Sequence, residues 1–162
     1  DMSLKYKVGI GAFDPLRAPE EAFGEGVSKP KIWIADISFT KPFVLQEKQL
    51  NLTSTLHAQT TADPLVPQDR LAIGGRYTVR GFDGDYSLSS NKGFYLQNEF
   101  SFNFSPSHQS YIAIDGGKIY GQNTKVLVGQ SLMGAAVGVR GSFMNFGNLN
   151  YDLFAGTPIY KP

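Results

Sequence analysis

Apolar and polar residues alternate with a period of two over unusually long stretches, and this alternation most constrains the fold. Successive side chains of a strand point to opposite faces, whereas helical side chains repeat every 3.6 residues. Between residues 93 and 105, one face carries Tyr95, Gln97, Glu99, Ser101 and Asn103, and the other carries Phe94, Leu96, Asn98, Phe100, Phe102 and Phe104. The pattern predicts an all-β, antiparallel protein with one apolar and one polar sheet face.

The alternation predicts about eight strands, several of them long enough to cross a bilayer. Their approximate bounds are 2–11, 31–41, 46–59, 69–78, 93–105, 109–117, 130–143 and 147–157. Strands of soluble proteins average about five or six residues, whereas a tilted membrane-crossing strand needs about 9–11. The length of the predicted strands therefore favours a membrane barrel.

The predicted connections differ in length. Short turns are expected at Ser105–His108 and Asn145–Asn148, and long connections at 12–30, 79–92 and 118–129. Short turns at one end and long loops at the other are typical of up-and-down outer-membrane barrels. With eight strands in strict up-and-down order, however, the 12–30 connection would lie at the end of the short turns.

Composition limits the functions that the chain can have. Its net charge is +1 and it has no cysteines, so neither a strong attraction for nucleic acid nor a thiolate metal site is expected. The two histidines, His57 and His108, lie on different predicted strands without metal-ligand spacing, and no nucleophile motif is present. Gly74-Gly75 lacks the lysine and following helix of a phosphate-binding loop. We expect no enzyme activity, cofactor, metal or small-molecule substrate.

Alternation alone leaves a second fold open. A soluble β-sandwich also has one apolar and one polar face on each sheet, with the apolar face turned inward. The charged fraction of 18%, below the usual quarter, and the aromatic residues near strand ends favour the membrane barrel.

Beyond this pattern, several motifs resemble one known family. Residues 71–85 read Leu-Ala-Ile-Gly-Gly-Arg-Tyr-Thr-Val-Arg-Gly-Phe-Asp-Gly-Asp, and residues 93–100 read Gly-Phe-Tyr-Leu-Gln-Asn-Glu-Phe. With Ser38–Phe43 and Gly156–Ile159, they resemble the haemolysin secretion/activation proteins, the TpsB transporters of two-partner secretion (ShlB, FhaC, HecB and CdiB type). The resemblance covers most of the chain from about Trp33 onward.

The resemblance implies a barrel of roughly sixteen strands behind periplasmic POTRA domains. Residues 1–162 would be part of its C-terminal half, without the POTRA domains or the closing strand. It also implies that a long extracellular loop folds back into the lumen and carries Val79, Arg80, Gly81 and Phe82 at its tip.

Within that loop, the family pattern implies that Arg80 pairs with Asp115 on the inner wall, so that the loop tip acts as a gate or latch and Asp115 is its partner. The alternation agrees, because Tyr111, Ala113 and Asp115 share one face. Glu99 and Arg140 are possible secondary lumen residues. The plainer alternatives are a water-exposed turn arginine at position 80 and an ordinary strand-end aspartate at position 115.

The implied function is secretion of one large partner protein, of the TpsA haemolysin, adhesin or contact-toxin type, across the bacterial outer membrane. The other expected partner is outer-membrane lipid. Two alternatives stay open at this point: an outer-membrane protein assembly factor of the same superfamily, and a soluble β-sandwich binding module.

Overall fold

The computed structural model describes residues 1–9, 19–24, 26–45, 48–82, 86–121, 124–143 and 149–162. Within these ranges, the strands are β1 (Met2–Val8), β2 (Lys31–Leu45), β3 (Lys48–Thr61), β4 (Leu71–Ile73), β5 (Leu88–Ser90), β6 (Lys92–Ser105), β7 (His108–Tyr120), β8 (Ser131–Phe143) and β9 (Leu149–Tyr160). Two short 3-10 helices span Pro19–Phe23 and Pro67–Asp69. No helix in these ranges is long and apolar enough to cross a membrane.

The main element is a seven-stranded antiparallel sheet in the order β1-β2-β3-β6-β7-β8-β9. Each strand pairs with its neighbours along the chain, except that β4 and β5 form a separate two-stranded sheet between β3 and β6. β3 and β6 pair directly, from Leu50 opposite Phe102 to Gln59 opposite Gly93. The order is that of an up-and-down sheet, as the alternation predicts.

The two faces of the main sheet differ in polarity. The outer face exposes large apolar side chains, among them Leu4, Phe39, Phe100, Phe104, Ile112, Val137 and Leu153. The opposite face, which we call the loop face, carries polar residues and the inserted segment 62–91, here called the 62–91 loop. This arrangement differs from a sandwich, in which the apolar face would be covered by a second sheet.

The predicted strand at 69–78 is wrong. Only Leu71–Ile73 is extended, and the chain turns from Gly74 onward, where the φ of Gly74 is +104°. Leu71 and Ile73 are buried within the 62–91 loop, and Ile73 belongs to the core formed with Val79 and Leu88. Their alternation therefore reflects a loop core and not a membrane-crossing strand.

Removing that strand also corrects the expected placement of the first long connection. β2 ends at Leu45 opposite Lys48, and β6 ends at Ser105 opposite His108, so both short turns lie at one end of the sheet. The connections 9–30, 62–91 and 121–130 then all lie at the other end. The expected turn at Asn145–Asn148 lies outside the described residues, as do residues 10 and 11 of the first predicted strand.

A compact hydrophobic core lies between the 62–91 loop and the loop face of β7 and β8. Its buried members are Ile73, Val79, Phe82, Leu88, Ile119 and Leu132. Four of the six belong to the loop, and burying each such side chain contributes about 1.5–3 kcal/mol. Apolar burial therefore holds the loop against the sheet and brings its tip to the wall.

Candidate functional site

The tip of the 62–91 loop meets the wall at Arg80 and Asp115. The Arg80 Nε donates to Asp115 Oδ2 at 2.6 Å, and its Nη2 donates to Asp115 Oδ1 at 2.9 Å. The backbone N–H of Arg80 also donates to Oδ2 at 3.0 Å, and that of Asn98 to Oδ1 at 3.3 Å. The carboxylate is thus fully used by a two-pronged arginine pair and two backbone donors.

Glu99 of β6 joins this pair to a second arginine. Its Oε2 accepts from Arg80 Nη1 at 2.8 Å, and its Oε1 accepts from Arg140 Nη2 at 2.6 Å. Arg140 in turn donates from Nε to Gln109 Oε1 at 2.7 Å. Two carboxylates and two guanidinium groups alternate, so the network of Asp115, Arg80, Glu99 and Arg140 carries no net charge.

This network is largely shielded from water. The side chain of Arg80 is 10% exposed and that of Asp115 is 0% exposed. Burial of the Arg80 guanidinium opposes its charge, but the hydrogen bonds and charges of Asp115 and Glu99 outweigh burial and raise the pKa of Arg80. Arg80, which lies on the loop and not on a wall strand, is therefore permanently charged, and its partners must balance it.

Backbone contacts at the tip require glycine on both sides. Gly81 has a φ of +99°, and a Cβ there would overlap the backbone of Thr157 in β9. A Cβ on Gly134 of β8 would overlap the carbonyl oxygen of Arg80, and one on Gly156 of β9 would lie 2.9 Å from the Cα of Gly81. The tip therefore lies directly on the backbone of β8 and β9.

Val79, which precedes Arg80, and Phe82, two residues after it, are both buried in the core between the loop and the sheet. The Cβ position of Gly117 in β7 lies 3.1 Å from a methyl group of Val79, which leaves no room for a larger wall residue. The tetrapeptide thus combines apolar packing with the central ion pair.

A second polar cluster lies beside the first, and sequence reasoning missed it. Arg76 Nη2 lies 3.0 Å from Asp152 Oδ2 of β9, and the Tyr111 hydroxyl donates to Asp152 Oδ1 at 2.9 Å. A cavity of about 180 Å³ separates the clusters and is lined by residues of both, including Arg76, Arg80 and Glu99. The only sequence signal was the placement of Tyr111 on the face of Asp115.

The structure brings together all the residues that the sequence singled out. Val79, Arg80, Gly81 and Phe82 form the tip, Asp115 and Glu99 bind Arg80 directly, and Arg140 is linked to it through Glu99. Their roles in a gate or latch stay a prediction.

The other part of the loop face, on β1–β3, is not covered by the loop tip. There Asp36 lies 3.0 Å from Lys5 Nζ and 2.6 Å from His57 Nδ1, and the His57 ring stacks on Tyr95 at 5.1 Å. Within the described residues, no cluster of His, Cys, Asp and Glu has the arrangement of a metal site.

Comparison with known proteins places the chain in a family. Residues 1–141 match the model of the haemolysin secretion/activation protein ShlB/FhaC/HecB. The outer membrane transporter CdiB-2 of Burkholderia pseudomallei strain 1026b is 39% identical over 164 aligned residues, which cover 100% of this chain and 28% of the relative. The outer membrane transporter CdiB of Escherichia coli is 30% identical and matches 98% of this chain and 28% of its own length.

Solved structures agree with the sequence relatives. CdiB from Acinetobacter baumannii superposes with a TM-score of 0.74 at 38% identity, over 83% of this chain and 25% of that one. CdiB from Escherichia coli superposes with a TM-score of 0.83 at 24% identity, over 99% of this chain and 30% of that one, and so supports the fold. The chain therefore spans between a quarter and a third of the length of each of these relatives.

The predictions of an antiparallel outer-membrane barrel and of its family are thus confirmed. The apolar outer face, the up-and-down order and the long connections at one end are those of a barrel wall. The chain belongs to the haemolysin secretion/activation protein family ShlB/FhaC/HecB, and its seven-stranded sheet is part of the family's outer-membrane β-barrel.

Proposed function

We propose that this chain is the C-terminal part of the barrel of a two-partner secretion translocator. The whole protein exports one large partner of the haemolysin, adhesin or contact-toxin type across the bacterial outer membrane. The outer face contacts lipid, and the loop face borders the path of the unfolded partner. Folding of the partner outside the cell prevents its return, and no catalytic step or cofactor takes part.

The buried pair of Arg80 and Asp115 is the observation that carries this proposal. The tip of the 62–91 loop is bound to the loop face of the wall, the face that borders the proposed export path. A buried arginine that loses its partner is left as an uncompensated charge, so displacing the tip from Asp115 is costly. In our proposal the bound state fixes the loop in the position that supports an open path.

Secretion by the full-length protein tests the proposal. Arg80→Ala should lower export of the partner by at least about tenfold, because loss of a buried charge pair costs about 3–5 kcal/mol. Lys118→Ala is the matched control, since Lys118 is an exposed cation on the same wall strand as Asp115. Both variants should reach the outer membrane in equal amounts.

Two results would contradict the proposal. Normal export by Arg80→Ala would remove the role of the loop tip. A general loss of other outer-membrane proteins upon deletion of the gene, without loss of one secreted partner, would favour the assembly-factor alternative.

A further inference from the structure

We infer that Arg76 is a second and separate attachment of the 62–91 loop, which holds the loop tip on β9 through Asp152, and that Tyr111 positions Asp152 for it. The consequence of this attachment for secretion rests on the proposed function, whereas the structural test of the attachment does not.

The contacts of Asp152 define the attachment. One carboxylate oxygen, Oδ2, lies 3.0 Å from Arg76 Nη2, and the other, Oδ1, accepts from the Tyr111 hydroxyl at 2.9 Å. The carboxylate is therefore oriented by a wall residue while it binds a loop residue. A carboxylate whose second oxygen is already held loses less freedom when it binds the arginine.

The wall has a specific gap that lets Tyr111 reach Asp152. Tyr111 belongs to β7 and Asp152 to β9, so the tyrosine side chain must cross β8. It does so over Gly138, which lies opposite Tyr111 in the register, and a Cβ at Gly138 would overlap the tyrosine ring. The absence of a side chain at Gly138 therefore leaves the space through which the Tyr111 hydroxyl reaches the Asp152 carboxylate.

Arg76 has a second contact on the same strand. Its guanidinium carbon lies 4.9 Å from the centre of the Phe154 ring, two residues beyond Asp152 on the loop face. A guanidinium near an aromatic ring is attracted to it in addition to any ion pair. β9 therefore offers Arg76 both a charge and an aromatic ring.

Two attachments fix an orientation that one cannot. Arg80 ties the tip to β6 and β7, and Arg76 ties it to β9, on the other side of β8. Packing of Val79 and Phe82 holds the tip around Arg80, and Arg76 holds the residues that precede the tip on β9. With Arg76 bound, the position of the next residue, Tyr77, is fixed as well, although Tyr77 itself is 79% exposed.

The two attachments differ in strength. The side chains of Arg76 and Asp152 are 42% and 35% exposed, against 10% and 0% for Arg80 and Asp115. Exposed pairs are weak and screened by salt, whereas buried pairs are screened much less. Salt should therefore release the Arg76 attachment first and leave the Arg80 attachment in place.

Distance measurements between two spin labels test this inference in the full-length protein. One label is attached after Tyr77→Cys, beside the tip, and the other after Thr40→Cys, at an exposed position on the loop face of β2. Any native cysteine of the full-length protein is replaced first. At low salt we expect one narrow distance distribution. Arg76→Ala and Asp152→Asn should each increase the displaced population by about two- to fivefold. High salt should produce the same increase without any substitution.

Further variants separate positioning from direct binding. Tyr111→Phe keeps the ring and loses the hydroxyl, so it should give a smaller increase, and none when added to Arg76→Ala. The exchanged pair Arg76→Asp with Asp152→Arg should restore part of the narrow distribution. Lys118→Ala is again the control and should change nothing.

The outcome is decided by the distances, whether or not the partner is exported. A distribution that stays narrow in Arg76→Ala and at high salt overturns the inference. Broadening at high salt that is equal in wild type and Arg76→Ala also overturns it, because the salt would then act elsewhere. Absence of export by the wild-type protein as well as by every variant would count against the proposed function alone.

Discussion

The loop face has two regions built on different principles, the wall of β7–β9 and the wall of β1–β3. Small residues line the first where the loop tip lies: Ala113, Gly117, Gly134, Ala136 and Gly156. Long charged or polar residues line the second: Lys5, Asp36 and His57. The backbone of the loop tip packs on the first region, and in the second these side chains pair with one another.

Ion pairs in the two regions differ accordingly. Lys5 and Asp36 form a pair of similar length to those at the tip, but their side chains are 65% and 34% exposed. Asp115 has no exposed side-chain surface and binds Arg80 with both oxygens. The contrast teaches that burial, more than the presence of an ion pair, identifies where this wall holds something in place.

Asp115→Asn should have the largest effect on this contrast. It removes the buried carboxylate that binds Arg80 with both oxygens and leaves only Glu99, which Arg80 shares with Arg140. Breaking such a buried pair costs about 3–5 kcal/mol. We expect a displaced loop, seen as faster proteolysis within residues 62–91 of the purified protein and a lower midpoint of thermal unfolding in detergent. Proteolysis at the wild-type rate would show that packing alone holds the loop.

Gly134→Ala should have the next largest effect. The added Cβ overlaps the carbonyl of Arg80, and overpacking of this kind costs about 1–3 kcal/mol. The matched control is Gly116→Ala, because the nearest atom to a Cβ at Gly116 lies 3.9 Å away. Equal thermal midpoints for the two variants would contradict the close approach of the tip to β8.

Glu99→Gln should have a smaller effect, because Arg80 keeps both bonds to Asp115. The variant loses the charge that Arg80 and Arg140 share, which we expect to cost about 1.5 kcal/mol. The spin-label distances should then resemble the wild type at low salt, with a modestly lower thermal midpoint. A loss as large as that of Asp115→Asn would show that Glu99, and not Asp115, is the principal partner.

Asp36→Asn should have the smallest effect, below about 1 kcal/mol, because Asp36 is 34% exposed and its partner Lys5 is 65% exposed. Thermal unfolding and loop proteolysis should both stay close to wild type. A large loss there would break the proposed distinction between the covered and the open wall.

Most of the wall could be predicted from alternation, because strand side chains repeat every two residues whatever lies around them. The strand at 69–78 could not be excluded in this way, since Leu71 and Ile73 alternate with Ala72 whether they face lipid or a loop core. Only the register, with β3 directly against β6, shows that this segment leaves the wall.

The site was partly predictable for a different reason. Arg80 and Asp115 were paired through the family resemblance, and their alternation was merely consistent with it. Arg76 and Asp152 lie far apart in the chain, and nothing local to either residue points to the other. Their contact depends on how deeply the loop enters the barrel, which is set by packing at Val79 and by the glycines of β7–β9.

Direct pairing of β3 with β6 makes the wall and its loop separable parts. Because Gln59 already lies opposite Gly93, the hydrogen-bonded ladder does not depend on the residues between them. A protein engineer could replace that segment with a tight turn and keep an uninterrupted wall. The result would be a wider conduit, and the same junction would accept a foreign peptide as a designed plug.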